Sequence, residues 1–444
     1  MIVYIPKYLY YHNTFQSDMA VVVEDGRIID IDYCEHITAI YPEARKEVWD
    51  NLVMIPGSVN VHNHSFQSLL RGIATDRPFL EWRDKALYHY SPLMTKEDIY
   101  VGALFAFAEM MKRGVTCVSD FFYLHNYGLE SDEAIIKAAQ DVGIRLVLAR
   151  TMYDWKGAPA GYVESIEQAV ENTSILYKKY QENDMVNILP APHSLHAASP
   201  EMIIQGHELA CKLGTKFHIH VAEEMFEVDA VEKEHGMGTI EYLNHIGVLD
   251  EHMVLIHGVW LKDNEIELIG EKGAHLAYCP SSNMFLADGI TNIPKMLENH
   301  VNIGLGSDGA CSNNRISIFE EMRMVSILQK AKTCDAMCMN YKTAFEMGTV
   351  NGGKLLDLPI GLLEKGMKAD FIGVDLEDLS MMPISDDLEQ ILPNIVYSME
   401  PTAIKEVVID GVKTIQKGEV VSVSEKEVKK KIKETMNHLN QGGK

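Results

Sequence analysis

Residues 53–64 read VMIPGSVNVHNH, an apolar run rich in β-branched side chains that ends on His62 and His64. This composition is typical of a buried β-strand. Side chains two positions apart lie on one face of a strand, so the two imidazoles can aim at one point beyond its end. The pattern therefore indicates two ligands of a transition metal. The alternative is a pair of surface histidines, and residues further along the chain have to decide between the two.

The middle of the chain repeats this strand pattern. Amphipathic helical stretches such as 97–113 and 200–213 separate most of the apolar runs, and several of them end in glycine, a common C-cap. The apolar runs are 53–61, 115–121, 144–150, 186–193, 216–221, 253–257, 274–279 and 301–307. Eight strands alternating with helices predict an α/β fold with a (β/α)8 TIM-type barrel. A doubly wound open sheet is the alternative, but no G-x-G-x-x-G follows the first strand.

Both ends of the chain look β-rich. Asp25-Gly26 and Asp410-Gly411 each lie between short apolar runs, which predicts two hairpins with Asp-Gly turns. We therefore expect a small composite β-sandwich formed by both termini. The predicted domains are 1–55 for the N-terminal part of the sandwich, 56–365 for the barrel, 366–423 for the C-terminal part of the sandwich, and 424–444 for a surface helix and tail.

Composition limits the functional classes. The 444 residues are 47% hydrophobic and carry a net charge of −24, which fits a globular protein with a large core and argues against a nucleic-acid partner. No apolar run is long enough to predict a membrane span, and the start lacks the pattern of a signal peptide. Seven scattered cysteines suggest reduced thiols, so a cytoplasmic location is expected.

Polar side chains lie at the C-terminal end of nearly every predicted barrel strand. In such a barrel the reactive residues lie at the C-terminal strand ends. These positions hold His62, His64, Asp120, Arg150, His193, His220, His257, Ser281, Asn283 and Asp308. A single buried histidine is usually a satisfied core residue. Five of them at the strand ends of one barrel favour a metal site, because unpaired polar groups are costly to bury.

The predicted metal ligands are His62, His64, His220 and Asp308. Three imidazoles and a carboxylate suit Zn²⁺, with Fe²⁺ as the alternative. Such an ion lowers the pKa of water toward about 7 and makes hydroxide available. For Asp308 the competing interpretation is a helix N-cap. The fourth strand contains no lysine that could bridge two ions, so one divalent metal per chain is predicted.

The predicted catalytic residues are Glu223, His257 and Asp308. Glu223 follows His220 by three residues and could carry a proton to a leaving nitrogen, although Glu224 beside it is a competitor. His257 closes the neighbouring strand and could hold the water or the oxyanion.

Longer motifs strengthen this interpretation. VHNH, HIHVAEE, VLIHGVW, YCPSSNMFLADGI and GLGSDGACSNN, spread over residues 53–315, resemble the amidohydrolase superfamily, in its branch of mononuclear metal-dependent aminohydrolases. The resemblance implies the barrel with its β-sandwich, hydrolysis at an amidine-type carbon with loss of ammonia, and a homo-oligomer. It also implies that His193 contacts the substrate.

Substrate cues point to two groups within this superfamily. The segments 307–314, 319–323 and 326–330 resemble S-adenosylhomocysteine/5′-methylthioadenosine deaminases, in which an arginine matching Arg150 meets a carboxylate. However, Ser91 stands where their ribose-binding glutamate is expected. The segments 64–67, 82–83, 121–123 and 191–195 resemble N-formimino-L-glutamate deiminases, although His196 replaces an arginine of that group. The predicted substrate-binding residues are His193, Gln67, Trp82, Arg83, Arg150, Tyr123 and Asn283.

The favoured function is therefore a hydrolytic deaminase of an amino-purine or related cyclic amidine, acting on a small molecule and water. The alternatives are an iminohydrolase of an acyclic formimino amino acid, a hydrolase of s-triazines with another leaving group, and a non-catalytic scaffold that kept the barrel.

Overall fold

A computed structural model of the protein describes residues 1–442. The strands are β1 Ile2–Tyr11, β2 Thr14–Gln16, β3 Met19–Glu24, β4 Arg27–Tyr33, β5 Arg45–Pro56, β6 Ser58–Asn63, β7 Val115–Phe122, β8 Arg145–Met152, β9 Val186–Pro192, β10 Phe217–Val221, β11 Met253–His257, β12 His275–Tyr278, β13 Asn302–Leu305, β14 Phe371–Asp375, β15 Ile404–Ile409, β16 Val412–Gln416 and β17 Glu419–Val420. Seven of the eight strands predicted for the middle of the chain are present as single strands, and the first, over 53–61, is divided between β5 and β6.

The α-helices alternate with the central strands and also cover the outer surface. They are α1 Cys34–Ile40, α2 Phe79–Trp82, α3 Lys96–Lys112, α4 Leu129–Val142, α5 Ile166–Tyr180, α6 Pro200–Leu213, α7 Met225–His235, α8 Thr239–His245, α9 Asp263–Lys272, α10 Pro280–Phe285, α11 Ile293–Glu298, α12 Ile318–Thr333, α13 Tyr341–Met347, α14 Val350–Leu356, α15 Ile391–Tyr397 and α16 Glu425–Gly442. Among residues 1–442, no helix combines the length and the apolar character that crossing a membrane requires.

Eight parallel strands form the barrel. They belong to two four-stranded sheets, and the hydrogen bonds that join the two sheets lie at the predicted metal site. Strands β6 to β9 and β10 to β13 are two four-stranded sheets in chain order. On one side the His220 N–H donates to the His193 carbonyl at 2.9 Å, and on the other the Asp308 N–H donates to the His62 carbonyl at 3.0 Å. The predicted (β/α)8 barrel is confirmed.

The two ends of the chain form one sheet. Nine strands pair in the order β17-β16-β15-β14-β5-β1-β3-β4, with β2 on β1. Strand β5 joins the halves, because it pairs in parallel with β1 and antiparallel with β14. Both predicted Asp-Gly turns are present, with positive φ at all four residues. A small apolar core holds Tyr4, Trp49 and Phe371, whose ring centroids lie 5.0–6.0 Å apart.

The opening stretch divides between two strands instead of forming the single strand predicted over 53–61. Strand β5 ends at Pro56 in the terminal sheet, and β6 begins the barrel at Ser58. Gly57 makes the crossing possible, since a Cβ there would lie 2.2 Å from the Thr116 side chain. The sequence does not reveal this crossing, because the residues on both sides of Gly57 are buried and form one apolar run.

A buried ion pair fixes the sheet to the barrel. Arg145, at the start of β8, donates to Asp370 at 2.8 and 3.0 Å, and both side chains are buried. Asp370 also accepts the Asp410 N–H at 2.7 Å. The C-terminal helix α16 lies against α3 through an ion pair between Lys112 and Glu425, where the sequence predicts a surface helix.

Candidate metal centre

Three histidines from two barrel strands converge at the C-terminal end of the barrel. One ring nitrogen each of His62, His64 and His220 lies within 4.8 Å of the other two. All three side chains are buried. Because H-x-H spans the end of β6 and His220 lies near the end of β10, the strands bring the three rings to one point.

Backbone hydrogen bonds orient two of these rings. The Nδ1–H of His64 donates to the Phe121 carbonyl at 2.7 Å, and the Nδ1–H of His220 donates to the His193 carbonyl at 3.0 Å. The Nε2 lone pair of each ring is then free to bind a metal. Neither ring nitrogen of His62 has a hydrogen-bond partner among residues 1–442. A buried imidazole in this state is costly unless an ion binds it.

Asp308 completes the donor set. Its Oδ1 lies 3.5 Å from His62 Nε2 and 3.3 Å from His64 Nε2. Hydroxyls of Ser282 and Ser312 donate to Oδ2 at 2.5 and 2.9 Å. Asp308 has a φ of 57°, a strained value for a non-glycine residue, and this conformation places its carboxylate beside the histidines.

The charge states suit a divalent cation. Burial lowers the pKa of His62 to about 3, so its imidazole is neutral. Burial opposes ionisation of Asp308, but contacts with His62 and His64 hold the pKa of this carboxyl well below its usual range. Neutral imidazoles with one carboxylate form a typical donor set for a divalent transition metal, so the residues present fit such a cofactor.

Glu223 and His257 lie beside the four donors. Glu223 Oε1 is 3.3 Å from His257 Nε2, and both groups lie close to Asp308. Burial, with the charges of Asp288 and Asp308, raises the pKa of the Glu223 carboxyl well above its usual range, so this group holds a proton more readily than an ordinary glutamate. The Asn283 amide donates to His257 Nδ1 at 3.0 Å, which leaves a proton on Nε2.

Aromatic and amide side chains border the same space. The Tyr123 ring lies 5.2 Å from the His64 ring and 5.7 Å from the His193 ring, which stacks on His220 at 4.9 Å. Gln67 donates from Nε2 to the Tyr123 hydroxyl at 3.0 Å. Gln67 Oε1 is buried and has no partner among the described residues, so it is a free acceptor.

Two further predicted residues lie nearby. Trp82 is buried and donates its Nε1–H to the Cys311 carbonyl at 3.1 Å, close to the Asp308 turn. Arg83 begins a π-helical turn, lies 4.5 Å from the Tyr88 ring centroid and donates to Asp84. The Arg83 side chain is partly exposed and reaches the rim of this region through Tyr88, whose hydroxyl lies 3.3 Å from that of Tyr153; the Tyr153 ring in turn lies 4.9 Å from the His193 ring.

Arg150 and Asp120 are both held by hydrogen bonds to neighbouring side chains or backbone groups and thus have structural roles. Arg150 is fully buried and donates to Glu164 at 2.7 and 2.9 Å and to Asp132 at 3.2 Å. Its guanidinium is therefore already neutralised by two carboxylates, which leaves it little capacity to bind a substrate carboxylate. Asp120 accepts from the Ser65 N–H and hydroxyl at 2.6 and 2.7 Å, which holds the turn after β6.

Residues 53–414 match the amidohydrolase family. The chain belongs to that family. Among curated amidohydrolase relatives, a 5-methylthioadenosine/S-adenosylhomocysteine deaminase from Syntrophomonas wolfei is 34% identical, covering 88% of each chain. Another from Syntrophobacter fumaroxidans is 30% identical over 93% of this chain and 92% of that protein. A 5′-deoxyadenosine deaminase from Methanosphaera stadtmanae is 33% identical over 85% of each.

Solved structures show the same amidohydrolase fold. A zinc-bound adenosine deaminase from Xanthomonas campestris aligns with a TM-score of 0.92 and 24% identity, over 99% of this chain and 98% of that one. A mutant atrazine chlorohydrolase from Arthrobacter aurescens, complexed with zinc and atraton, aligns with a TM-score of 0.90 and 19% identity, over 98% of this chain and all of that one. Both similarities concern the barrel with its additional β-sheet domain.

Several residues that support this site were not predicted from the sequence. Ser282 and Ser312 hold Asp308, Asp288 contacts Asn283, and Glu164 neutralises Arg150. Ser282 lies next to Ser281, which the strand pattern already places at the C-terminal end of the barrel, so its position could have been predicted. Glu164 lies in an irregular segment without hydrophobic periodicity, so its ion pair with Arg150 could not be inferred from the sequence.

Proposed function

We propose that this protein is a metal-dependent hydrolytic deaminase that releases ammonia from an amino-purine nucleoside of the adenosine type. The observation that carries the proposal is the convergence of His62, His64, His220 and Asp308 next to the Glu223–His257 pair. The names of relatives 30–34% identical over most of the chain support the substrate class.

A divalent cation at the four donors supplies a Lewis acid that makes water nucleophilic near neutral pH. We propose Zn²⁺ as the resident ion, because three imidazoles and one carboxylate suit it well. Glu223 takes a proton from the attacking water and delivers it to the leaving amino group. His257, whose Nε2 carries a proton because Asn283 donates to Nδ1, stabilises negative charge on the tetrahedral carbon's oxygen.

The residues beside the donors suit a flat, polar heterocycle. The faces of His193 and Tyr123 offer aromatic contact, and the free Gln67 Oε1 can accept a hydrogen bond from an exocyclic amine. Because Arg150 is already paired with Glu164 and Asp132, we do not assign it to a substrate carboxylate.

The test is a substrate panel read by ammonia release and by ultraviolet absorbance of the purine. Adenosine, 5′-deoxyadenosine, 5′-methylthioadenosine and S-adenosylhomocysteine are compared with N-formimino-L-glutamate and an s-triazine. We expect ammonia and the purine absorbance change to appear together, to disappear after the metal is stripped, and to return with Zn²⁺. Ammonia from the formimino compound without purine turnover would overturn the proposal.

An iminohydrolase of a formimino amino acid is the second candidate. The Gln67–Tyr123 hydrogen bond and the position of Arg83 at the rim favour it, since a formimino acid needs amide and cationic partners for its polar ends. The same panel separates the two candidates.

We further propose that the enzyme works in the cytoplasm as a homo-oligomer. The seven cysteines, all within the described residues, are free thiols, which supports a reducing compartment. The oligomeric state follows from the family resemblance and is tested by light scattering of the purified protein.

A further inference from the structure

A second group of metal-binding side chains lies on α6, away from the catalytic donors. His207 and Cys211 are one helical turn apart, so both project from the same face of this helix. Asp250, in the segment that leads into β11, faces them. One donor atom each of His207, Cys211 and Asp250 lies within 4.8 Å of the other two.

The distances fit a tetrahedral ion. His207 Nε2 lies 3.5 Å from Cys211 Sγ and 2.7 Å from Asp250 Oδ2. Around tetrahedral Zn²⁺, a nitrogen and a thiolate sulfur are separated by about 3.5 Å and a nitrogen and a carboxylate oxygen by about 3.3 Å. The histidine and cysteine are thus already spaced for a shared ion, and the carboxylate has to move back by about 0.6 Å. The Asp250 side chain is partly exposed and has room for this movement.

The charge around the thiol also favours a cation. Asp250, Glu251 and Glu208 all place negative charge near Cys211. The Asp250 Oδ1 accepts the His252 N–H at 2.9 Å, which holds the carboxylate near the helix through the oxygen that does not face His207, so that Oδ2 can still shift. Imidazole, thiolate and carboxylate together select borderline and soft divalent metals over Mg²⁺ or Ca²⁺.

We propose that His207, Cys211 and Asp250 bind a second divalent transition metal, such as Zn²⁺ or Co²⁺, with water as the fourth ligand. On binding, the Cys211 thiol releases its proton to solvent. The His207 proton, which lies on Nε2 and is donated to Asp250 at 2.7 Å in the metal-free chain, moves through solvent to Nδ1, so that the Nε2 lone pair binds the ion. The ion joins α6 to the segment before β11 and therefore stabilises the folded chain.

This site is distinct from the catalytic centre. Asp250 precedes β11, whereas His257 ends that strand near the catalytic donors. Strand β11 alone separates the two ends by about 13 Å at about 3.3 Å per residue. No ligand can therefore be shared between the two ions, and the two sites can be loaded and counted separately.

The experiment is a Co²⁺ titration of the enzyme with its catalytic metal retained. A thiolate ligand gives a thiolate-to-cobalt charge-transfer absorption, which a site of histidines and a carboxylate does not give. We expect this band to saturate at one added equivalent, with a matching rise in Tm. Cys211→Ser should abolish both signals, and Asp250→Asn should weaken Co²⁺ binding about 10-fold or more.

Cys334→Ser is the matched control, because Cys334 is also exposed and belongs to no three-residue metal-binding group among residues 1–442. It should leave the band and the Tm rise unchanged. The proposal is overturned if the wild-type protein shows no charge-transfer band. It is equally overturned if the band survives in Cys211→Ser or disappears in Cys334→Ser.

Discussion

Replacing Glu223 with glutamine removes a proton carrier while changing little else. Glu223 is buried, and its Oε1 lies 3.3 Å from His257 Nε2. Glutamine has nearly the same size and keeps an acceptor oxygen, so packing is retained, but it cannot take and return a proton. General acid–base catalysis typically contributes about 10²–10⁴-fold. We therefore expect kcat to fall by that factor, equivalent to about 2.7–5.4 kcal/mol in the activation free energy.

The neighbouring Glu224 provides the matched control. It is half-buried, and its carboxyl contacts Asp288. Glu224→Gln should change kcat by no more than about 3-fold, equivalent to about 0.7 kcal/mol, because Glu224 belongs to neither group of converging donors and glutamine can keep the hydrogen bond to Asp288. The assay is steady-state ammonia release on the substrate identified above, with metal content measured by elemental analysis.

Three results would contradict the proton-carrier role of Glu223. Glu223→Gln could keep more than about a tenth of wild-type kcat, which is well above the range for a lost proton carrier. Glu224→Gln could lose as much activity as Glu223→Gln, which would make the effect a general loss of negative charge. Glu223→Gln could also lose its metal, which would make Glu223 a ligand and not a proton carrier.

Three further substitutions test other parts of the structure. Arg150→Met leaves Asp132 and Glu164 uncompensated, so urea denaturation should show a loss of about 3–5 kcal/mol in unfolding free energy; a selective rise in KM for carboxylate-bearing substrates without this loss would contradict our placement. Burial raises the pKa of Glu321 from 4.5 to about 8, so between pH 4.5 and about 8 the folded chain keeps a proton that the unfolded chain has released. The unfolding free energy should therefore fall by up to about 1.4 kcal/mol per unit as pH rises from 4.5 to about 8, and Glu321→Gln should remove that slope; an unchanged slope in urea denaturation would show that Glu321 ionises normally. Tyr123→Phe removes the acceptor of the buried Gln67 amide and should lower kcat/KM by about 5-fold, equivalent to about 1 kcal/mol, and an unchanged kcat/KM would remove this pair from substrate binding.

The barrel could be predicted because its signals are local. Apolar runs of strand length mark the strands, and glycines such as Gly114 and Gly143 end the preceding helices with φ of 77° and 88°. Once the strands are placed, chain direction decides which residues reach the C-terminal end of the barrel. His220 and Asp308, far apart in sequence, therefore meet His62 without any information beyond the strand pattern.

Two features could not be predicted from the sequence: the crossing between the two sheets at Gly57 and the ion pairs of Arg150. The crossing at Gly57 is invisible because the residues on both sides are equally apolar and buried. Arg150 follows a strand like the ligands do, yet Glu164 and Asp132 neutralise it, and neither carboxylate has a spacing that points to it. Strand position thus identifies which residues lie near the site, while ion pairing decides which of them can still bind a metal or a substrate.

The central claim is that His62, His64, His220 and Asp308 hold one divalent ion, and anomalous diffraction from crystals of the active enzyme tests it most directly. The account predicts an anomalous peak about 2.0–2.2 Å from the Nε2 atoms of the three histidines and from the Asp308 carboxylate. The absence of a peak at this position, in crystals of protein that turns over substrate at its full rate, would contradict it.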